Sequence, residues 1–215
     1  MMNLVCTRCT DGQHLALQRW YGDHVHLLLA APQLQQAQLH RCTLPLAGLP
    51  PDYFCMYAFL SHDDFLAFEQ GRPKAEATLL TNAAAARGSV EIVQRTQYTR
   101  WLHRSWPAAS ESSGESWQMA LCVSSVSAWT LDSQRWLADQ LQALRGCAPL
   151  LRAQAFVQQD QASHAFLVLD FAQSDAQSIW SLLQDLLAQP SLYGQAQALQ
   201  THWAASASPV QAWLR

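Results

Sequence analysis

The sequence predicts an α+β protein in which two βαββαβ units are fused in one chain. Three observations lead to this prediction: part of the first half recurs in the second half, the order of predicted elements repeats, and 215 residues correspond to two units of roughly 100 residues. Half of the residues are hydrophobic, nine are Trp and 13% are charged, which is typical of a chain that folds around an apolar core.

An internal copy is the first of these observations. Residues 6–38 align without a gap with residues 122–154. Both segments contain Gln-Arg-Trp, ending in Trp20 and Trp136, followed three residues later by Asp. Because the two tryptophans occupy equivalent places, we interpret both as residues that pack a helix onto a sheet.

The first unit has a predicted element for each place in the βαββαβ order. Leu17, Tyr21 and Leu28 have helical spacing, Asp11-Gly12 supplies the turn before that helix, and Ser61 resembles the cap of a later one. Alternating apolar segments predict the strands. The predicted ranges are a strand over 3–10, a helix over 14–31, strands over 34–43 and 53–60 around a loop at 45–51, a helical region broken around 71–73 and closed by Gly88, and a strand over 90–96.

The second unit repeats this order after a segment rich in Ser, Pro, Ala, Glu and Gly, the composition of a surface linker. We predict a first unit over residues 1–103, a linker over 104–117 and a second unit over 118–215. Within the second unit the predicted ranges are strands over 118–126, 151–158, 164–171 and 198–203, and helices over 132–145 and 176–188.

The element order also predicts how each unit packs. A βαββαβ unit is ferredoxin-like: its four strands form an antiparallel sheet with both helices on one face, which leaves the other face apolar and uncovered. Two such sheets can cover each other. We therefore expect an intrachain α+β barrel that is complete as a monomer, an internal pseudo-dimer, with a further homodimer as the alternative.

Charge and hydropathy exclude several classes of partner. The net charge is −3 and Lys74 is the single lysine, so the chain lacks the basic surface that nucleic-acid backbones require. No apolar run reaches the roughly 18 residues of a membrane span, and no signal peptide precedes the first predicted strand. We expect a cytoplasmic protein with neither nucleic acid nor a membrane as partner.

Cysteine spacing argues against disulfides and metal. Most of the six cysteines lie within apolar segments, where free cysteine behaves as a small buried hydrophobe. Cys6 and Cys9 form one Cys-x-x-Cys pair, but no second pair follows at the spacing of a zinc site. We expect neither a metal site nor any other cofactor.

Two segments resemble a known family. Residues 20–24 read Trp-Tyr-Gly-Asp-His and residues 28–32 read Leu-Leu-Ala-Ala-Pro, while residues 53–59 precede Asp63-Asp64. Over about the first hundred residues this pattern resembles the EthD-like branch of the dimeric α+β barrel superfamily. The resemblance implies a ligand pocket between sheet and helices. It also implies relatives that include cofactor-free monooxygenases, polyketide cyclases, lactone isomerases and haem proteins such as chlorite dismutases.

His24 is the candidate catalytic residue. It lies four residues after Trp20 and three after Tyr21, so these side chains share the helix face that packs on the sheet. A neutral imidazole in an apolar pocket can act as general base, since burial lowers its pKa. His26 is rotated by about 200° and cannot join it in a metal pair. The second half carries Gln140 in the place of His24, so this chemistry belongs to the first half alone.

Other aromatic residues complete the predicted site. Tyr57 and Tyr98 could donate hydrogen bonds to an enolate or phenolate oxygen, and Tyr21 and Trp101 are candidates for ligand contact. We expect proton-transfer chemistry without a cofactor, such as cyclisation, isomerisation or oxygenation of a small hydrophobic or aromatic molecule. Three alternatives stay open: His24 as a core histidine, a non-catalytic ligand-binding or accessory protein, and a haem-binding barrel.

Overall fold

The computed structural model describes residues 1–86, 89–106, 116–172, 175–189 and 199–215. The helices and strands are β1 (Met2–Arg8), α1 (His14–Leu29), β2 (Leu34–Gly48), β3 (Tyr53–Phe59), α2 (His62–Glu69), α3 (Arg72–Ala86), β4 (Glu91–Ser105), β5 (Trp117–Ser124), α4 (Leu131–Cys147), β6 (Leu150–Gln158), β7 (His164–Phe171), α5 (Ala176–Leu187) and β8 (Gln200–Leu214). Within these ranges no helix combines the length and apolar character of a membrane span.

The eight strands form a closed barrel. Their hydrogen-bonded order is β1-β3-β2-β8-β5-β7-β6-β4, with β4 returning to β1. The strands of the first half therefore follow the order β4-β1-β3-β2, and those of the second half follow the equivalent order β8-β5-β7-β6. This arrangement confirms the predicted α+β barrel built within one chain, because each βαββαβ half contributes four strands.

The chain divides into two compact units. The first consists of residues 1–41, 51–97 and 209–215, and the second consists of residues 42–50 and 98–208. The boundaries fall inside β2, β4 and β8, so each of these strands contributes residues to both units.

The predicted linker over residues 104–117 is described only at its ends. Residues 107–115 lie outside the described residues. Arg104 and Ser105 continue β4 and pair with β6, and Trp117 begins β5 opposite Phe171.

The predicted elements all occur, and three strands are longer than predicted. β2, β4 and β8 have 15 residues each. The loop predicted from Pro45 therefore begins as strand, because pairing with a strand distant in sequence continues the extended backbone. The helical region of the first half is in two pieces, as predicted, and Ser61 caps the first piece by accepting a hydrogen bond from the Asp64 N–H at 3.0 Å. Gly88 and residue 198 lie outside the described residues.

Helix α1 packs on the sheet of the first unit through Leu17, Tyr21, Val25 and Leu28, which are its buried residues. Their spacing makes one apolar stripe along the helix. The stripe joins a core cluster with residues of β1 and β3, among them Val5. Strand β1 is buried on both faces, since it has six consecutive buried residues.

Gly48 at the end of β2 is required by its surroundings, so Gly48→Ala is expected to be strongly destabilising. The residue has φ +61°, and an added Cβ would lie 2.1 Å from the His202 carbonyl oxygen of β8. The left-handed conformation costs a non-glycine residue about 1–2 kcal/mol, and the overlap adds to that. We expect a loss of more than about 2 kcal/mol in the free energy of unfolding, measured by urea titration.

The matched control is Gly146→Ala in the exposed part of α4, where an added Cβ meets nothing within 4 Å. It should be neutral or stabilising by up to about 1 kcal/mol. Equal effects of the two substitutions would contradict this account of Gly48.

Candidate functional site

A cavity lies in the first unit between the sheet and the helices. Residues of β1, α1, β3, α2, α3 and β4 line it, and His24 of α1 is one of them. The resemblance to α+β barrel proteins implied a pocket in this position. The cavity holds the candidate base of the sequence together with polar and charged side chains from four other elements.

Strand alternation places polar groups along one wall. Asn3, Val5 and Thr7 lie on the same face of β1, because successive side chains of a strand point to opposite faces. On β3, Tyr57 is directly opposite Asn3 in the antiparallel register. Asn3 is 5% exposed, and its Oδ1 has no hydrogen-bond partner among the described residues. The sheet thus presents an amide and a phenol side by side.

Helix α1 supplies the opposite wall. Trp20 and His24 are one helical turn apart, and their rings stack with centroids 4.9 Å apart and planes inclined by 23°. Tyr21 packs edge-on against Trp20 at 5.0 Å. The Tyr21 hydroxyl and Thr7 Oγ1 are 2.9 Å apart and form a buried hydrogen bond. That bond orients Tyr21 with its ring against the sheet.

His24 is neutral at physiological pH. Burial lowers its pKa from 6.5 to about 4, and the positive charges of Lys74 and Arg95 act in the same direction. A hydrogen bond with the Ala77 backbone raises the pKa by a smaller amount. Nδ1 of His24 is buried and has no hydrogen-bond partner among the described residues. The ring therefore offers a free lone pair in a dry environment.

Two cations line the cavity, and sequence reasoning had assigned neither of them to the site. Lys74 of α3 has a side chain that is only 12% exposed and pairs with Glu69 of α2 at 3.4 Å. Burial and the nearby Arg95 of β4 lower the pKa of Lys74, while Glu69 raises it. The signal that could have found this residue is its rarity: it is the only lysine in the chain.

Tyr57 remains protonated. Burial raises its pKa well above the ordinary value, and a hydrogen bond with the buried Cys55 thiol adds to that shift. Arg95 acts in the opposite direction. A phenol with a raised pKa is a hydrogen-bond donor rather than a base at neutral pH.

The cavity is small. The volume that the centre of a water molecule can occupy inside it is about 20 Å³, which suffices for about one ordered water. A larger cavity of about 300 Å³ on the same measure lies against α1 and is lined by Leu17, Ala84 and Val90 among others. Trp20 lines both cavities. An aromatic ring therefore fits beside His24 only if Trp20 moves.

Of the residues predicted for the site, His24, Tyr21 and Tyr57 line this cavity. Tyr98 and Trp101 belong to the second unit and are not among the described lining residues. Tyr98 is fully buried with its ring 6.1 Å from that of Phe166, and Trp101 packs edge-on against Trp129 at 5.1 Å. In the described ranges, no three His, Cys, Asp or Glu side chains are grouped to hold a metal ion.

In the second unit the residues equivalent to Trp20 and His24 contact each other directly. Trp136 is 2% exposed. With the Gln140 amide assigned the orientation that satisfies both of its polar atoms, its oxygen accepts a hydrogen bond from Trp136 Nε1 at 3.3 Å and its nitrogen donates to the Leu186 carbonyl at 3.1 Å. The prediction that both repeat tryptophans pack a helix on a sheet fits Trp136. It is incomplete for Trp20, which is partly exposed and stacks on His24.

Comparisons with known proteins bear on the fold. No protein-family model and no curated protein matches the sequence. Among solved structures, a "putative monooxygenase" from Fusobacterium nucleatum is 6% identical, with 100% of this chain and 94% of that chain covered and a TM-score of 0.59. An "anthrone oxidase-like protein" is 8% identical, with coverage of 99% and 92% and a TM-score of 0.59.

A "putative chlorite dismutase" is 12% identical, with coverage of 98% and 94% and a TM-score of 0.54. At these identities the likeness is one of fold and not of activity. Because it extends over nearly the whole of this chain and of each of the others, the protein has the α+β barrel fold that these structures share.

Proposed function

We propose that the chain is a small-molecule enzyme that acts on a hydrophobic or aromatic enolisable substrate by proton transfer without a cofactor, with His24 as general base. The observation that carries this proposal is a neutral histidine whose buried Nδ1 has no partner in the described part of the chain, in a cavity that is also lined by two cations. A base and the groups that stabilise the resulting anion are the two requirements of enolisation.

The proposed step moves one proton. Nδ1 of His24 takes the proton of an acidic C–H or phenolic O–H, and the electron pair left behind moves onto the substrate oxygen. Lys74 and Arg95 stabilise that oxyanion by charge, and the Tyr57 hydroxyl stabilises it by donating a hydrogen bond. The same cations make the imidazole a weak base in the free protein. A substrate anion offsets their charge, so the imidazolium is favoured once the anion forms.

The names of two neighbours suggest the first substrates to try. One is a "putative monooxygenase" and another an "anthrone oxidase-like protein". An anthrone has an acidic CH₂ group conjugated with its carbonyl, which is the kind of proton that the His24 cavity is suited to remove. We also propose membership of the EthD-like branch, on the residues of α1 and β3 that carry the resemblance. Cyclisation, isomerisation and oxygenation can all follow the same first step.

We propose further that the chain works as a cytoplasmic monomer, with the small molecule as its partner. Closure of the barrel leaves its eight strands without an open edge, which removes a common reason for strand-mediated association. None of the six cysteines, all of which lie in the described ranges, is part of a disulfide, as is usual in a reducing compartment.

A non-catalytic role is the second candidate, and the small cavity favours it. A space of about 20 Å³ resembles a filled core more than an open active site. In that case the protein would bind a ligand without turnover or act as an accessory subunit. Haem is not suited to the cavity, because a macrocycle cannot lie beside a histidine ring that is stacked on Trp20 in so small a space.

The test is solvent-deuterium exchange at the acidic C–H of anthrone and of cyclic 1,3-diketones, followed by NMR. His24→Gln, the residue of the equivalent position in the second half, is expected to lower the exchange rate by about 100-fold or more. His26→Gln is the matched control, since His26 is exposed on the same helix. Wild-type exchange no faster than buffer would favour the non-catalytic candidate, and exchange that survives His24→Gln would remove His24 as the base.

A further inference from the structure

We propose that the His24 cavity recognises a negatively charged group on its ligand, so that the substrate class is a hydroxylated aromatic carboxylic acid whose carboxylate pairs with Arg95 and Lys74. This inference rests on the proposed function in taking the cavity as the ligand site. It goes further by specifying that the ligand is already negatively charged when it binds.

The first argument is the local balance of charge. Lys74 and Arg95 line the cavity, and among the described lining residues there is no Asp or Glu. Glu69 lies 3.4 Å from Lys74 and offsets one of the two positive charges. One positive charge therefore remains next to a largely apolar space. A bound carboxylate would neutralise it and relieve the repulsion between the two cations.

The second argument concerns Arg95, whose guanidinium faces no partner in the ranges that the structure describes. No described residue forms an ion pair or hydrogen bond with its guanidinium, although the side chain lines the cavity from β4 and is solvent-accessible. A guanidinium presents donors in a planar fork that matches a carboxylate. Arg95 can thus meet the ligand at the cavity mouth, while Lys74 approaches from α3.

The third argument comes from polar atoms inside the cavity. Asn3 Oδ1 and His24 Nδ1 are buried acceptors without partners among the described residues. A buried acceptor left unpaired costs about 1–3 kcal/mol, so a ligand hydroxyl that donates to one of them is favoured. The ring between hydroxyl and carboxylate enters when Trp20 moves toward the larger cavity that it also lines, and Leu28 and Phe68 then supply apolar surface for it.

The experiment is calorimetric titration of the full chain with 6-hydroxy-2-naphthoate and with its methyl ester. The two probes share ring and hydroxyl and differ in charge. We expect the acid to bind the wild-type protein about 10-fold more tightly than the ester, or better, as a charge-assisted contact predicts. Arg95→Gln should reduce that ratio to within about threefold and leave the affinity for the ester unchanged.

Two further variants keep the result interpretable. Lys74→Met keeps the aliphatic stem and removes the ammonium, and it should also lower the ratio. Arg100→Gln, on the exposed part of the same strand, removes one positive charge away from the cavity and should leave the ratio unchanged. The inference is overturned if acid and ester bind the wild type equally, if neither binds at millimolar concentration, or if Arg100→Gln acts like Arg95→Gln.

The outcome is separable from that of the proposed function. A preference for the acid that depends on Arg95, with no deuterium exchange on any substrate, would support anion recognition and reject proton transfer. Exchange of neutral substrates that depends on His24, without a preference for the acid, would support proton transfer and reject anion recognition.

Discussion

His24→Gln is expected to reduce the loss of stability that the protein suffers between pH 7 and pH 4, by up to about 3 kcal/mol. The pKa of His24 is lowered from 6.5 to about 4 by burial and by Lys74 and Arg95. The unfolded chain therefore binds a proton at this position more readily than the folded protein does. Stability contributed by the neutral imidazole is fully present above pH 6.5 and is lost as the pH falls through the window down to about 4.

The measurement is the free energy of unfolding from urea titrations at pH 7, 5 and 4. Hydrogen bonds donated by the Ser178 hydroxyl and backbone N–H lower the pKa of the Asp175 carboxyl group below 3.8, so Asp175 affects wild type and variant alike at the acid end of this range. The informative quantity is therefore the difference between wild type and variant at each pH. His26→Gln should retain the full loss of the wild type. If His24→Gln retains it as well, the imidazole does not carry the lowered pKa.

Trp136→Ala is expected to cost about 3–5 kcal/mol, and Trp20→Ala clearly less. Trp136 is 2% exposed within the core of the second unit, and removing it also leaves the Gln140 amide without its donor. Trp20 is partly exposed and already borders two cavities, so its removal merges existing space rather than opening a new void in a packed core. Urea titration of both variants and of the wild type gives the loss in the free energy of unfolding that each substitution causes.

A second readout of Trp20→Ala concerns access to His24. The 20 Å³ and 300 Å³ cavities share this side chain, so the variant should admit naphthalene-sized probes faster than the wild type does. Stopped-flow binding of 6-hydroxy-2-naphthoate gives the association rate. Equal stability costs at positions 20 and 136, together with an unchanged rate, would mean that the two tryptophans play the same packing role after all.

The fold could be predicted from the sequence because the patterns that indicate helices, strands and turns are local and occur in both halves of the chain. Turn residues and helical spacing placed the elements of the first half, and the aligned copy placed them again in the second. That His24, Tyr21 and Tyr57 face the layer between helix and sheet could be predicted for a similar reason, since spacing along one helix and alternation along one strand determine which side chains lie there.

The other residues of the candidate site come together through contacts between elements that are distant in sequence, and local sequence patterns do not predict such contacts. Lys74 and Arg95 come from α3 and β4, and only the packing of these elements against α1 brings their charges near His24. The pairing of Asn3 with Tyr57 depends on a strand register that the sequence does not state. The same holds for the extra length of β2 and β8, where hydrogen bonds to distant strands outweigh local signals such as Pro45.

The division of β8 between the two units bears on how the chain can fold as it is synthesised. Trp213 is 6% exposed within the core of the first unit, and the Arg215 N–H donates a hydrogen bond to the Gln35 carbonyl at 3.2 Å. Residues 209–215 leave the ribosome after all of the second unit. The unit that begins first therefore receives the last residue of its native core, Trp213, only after the whole second unit has been synthesised.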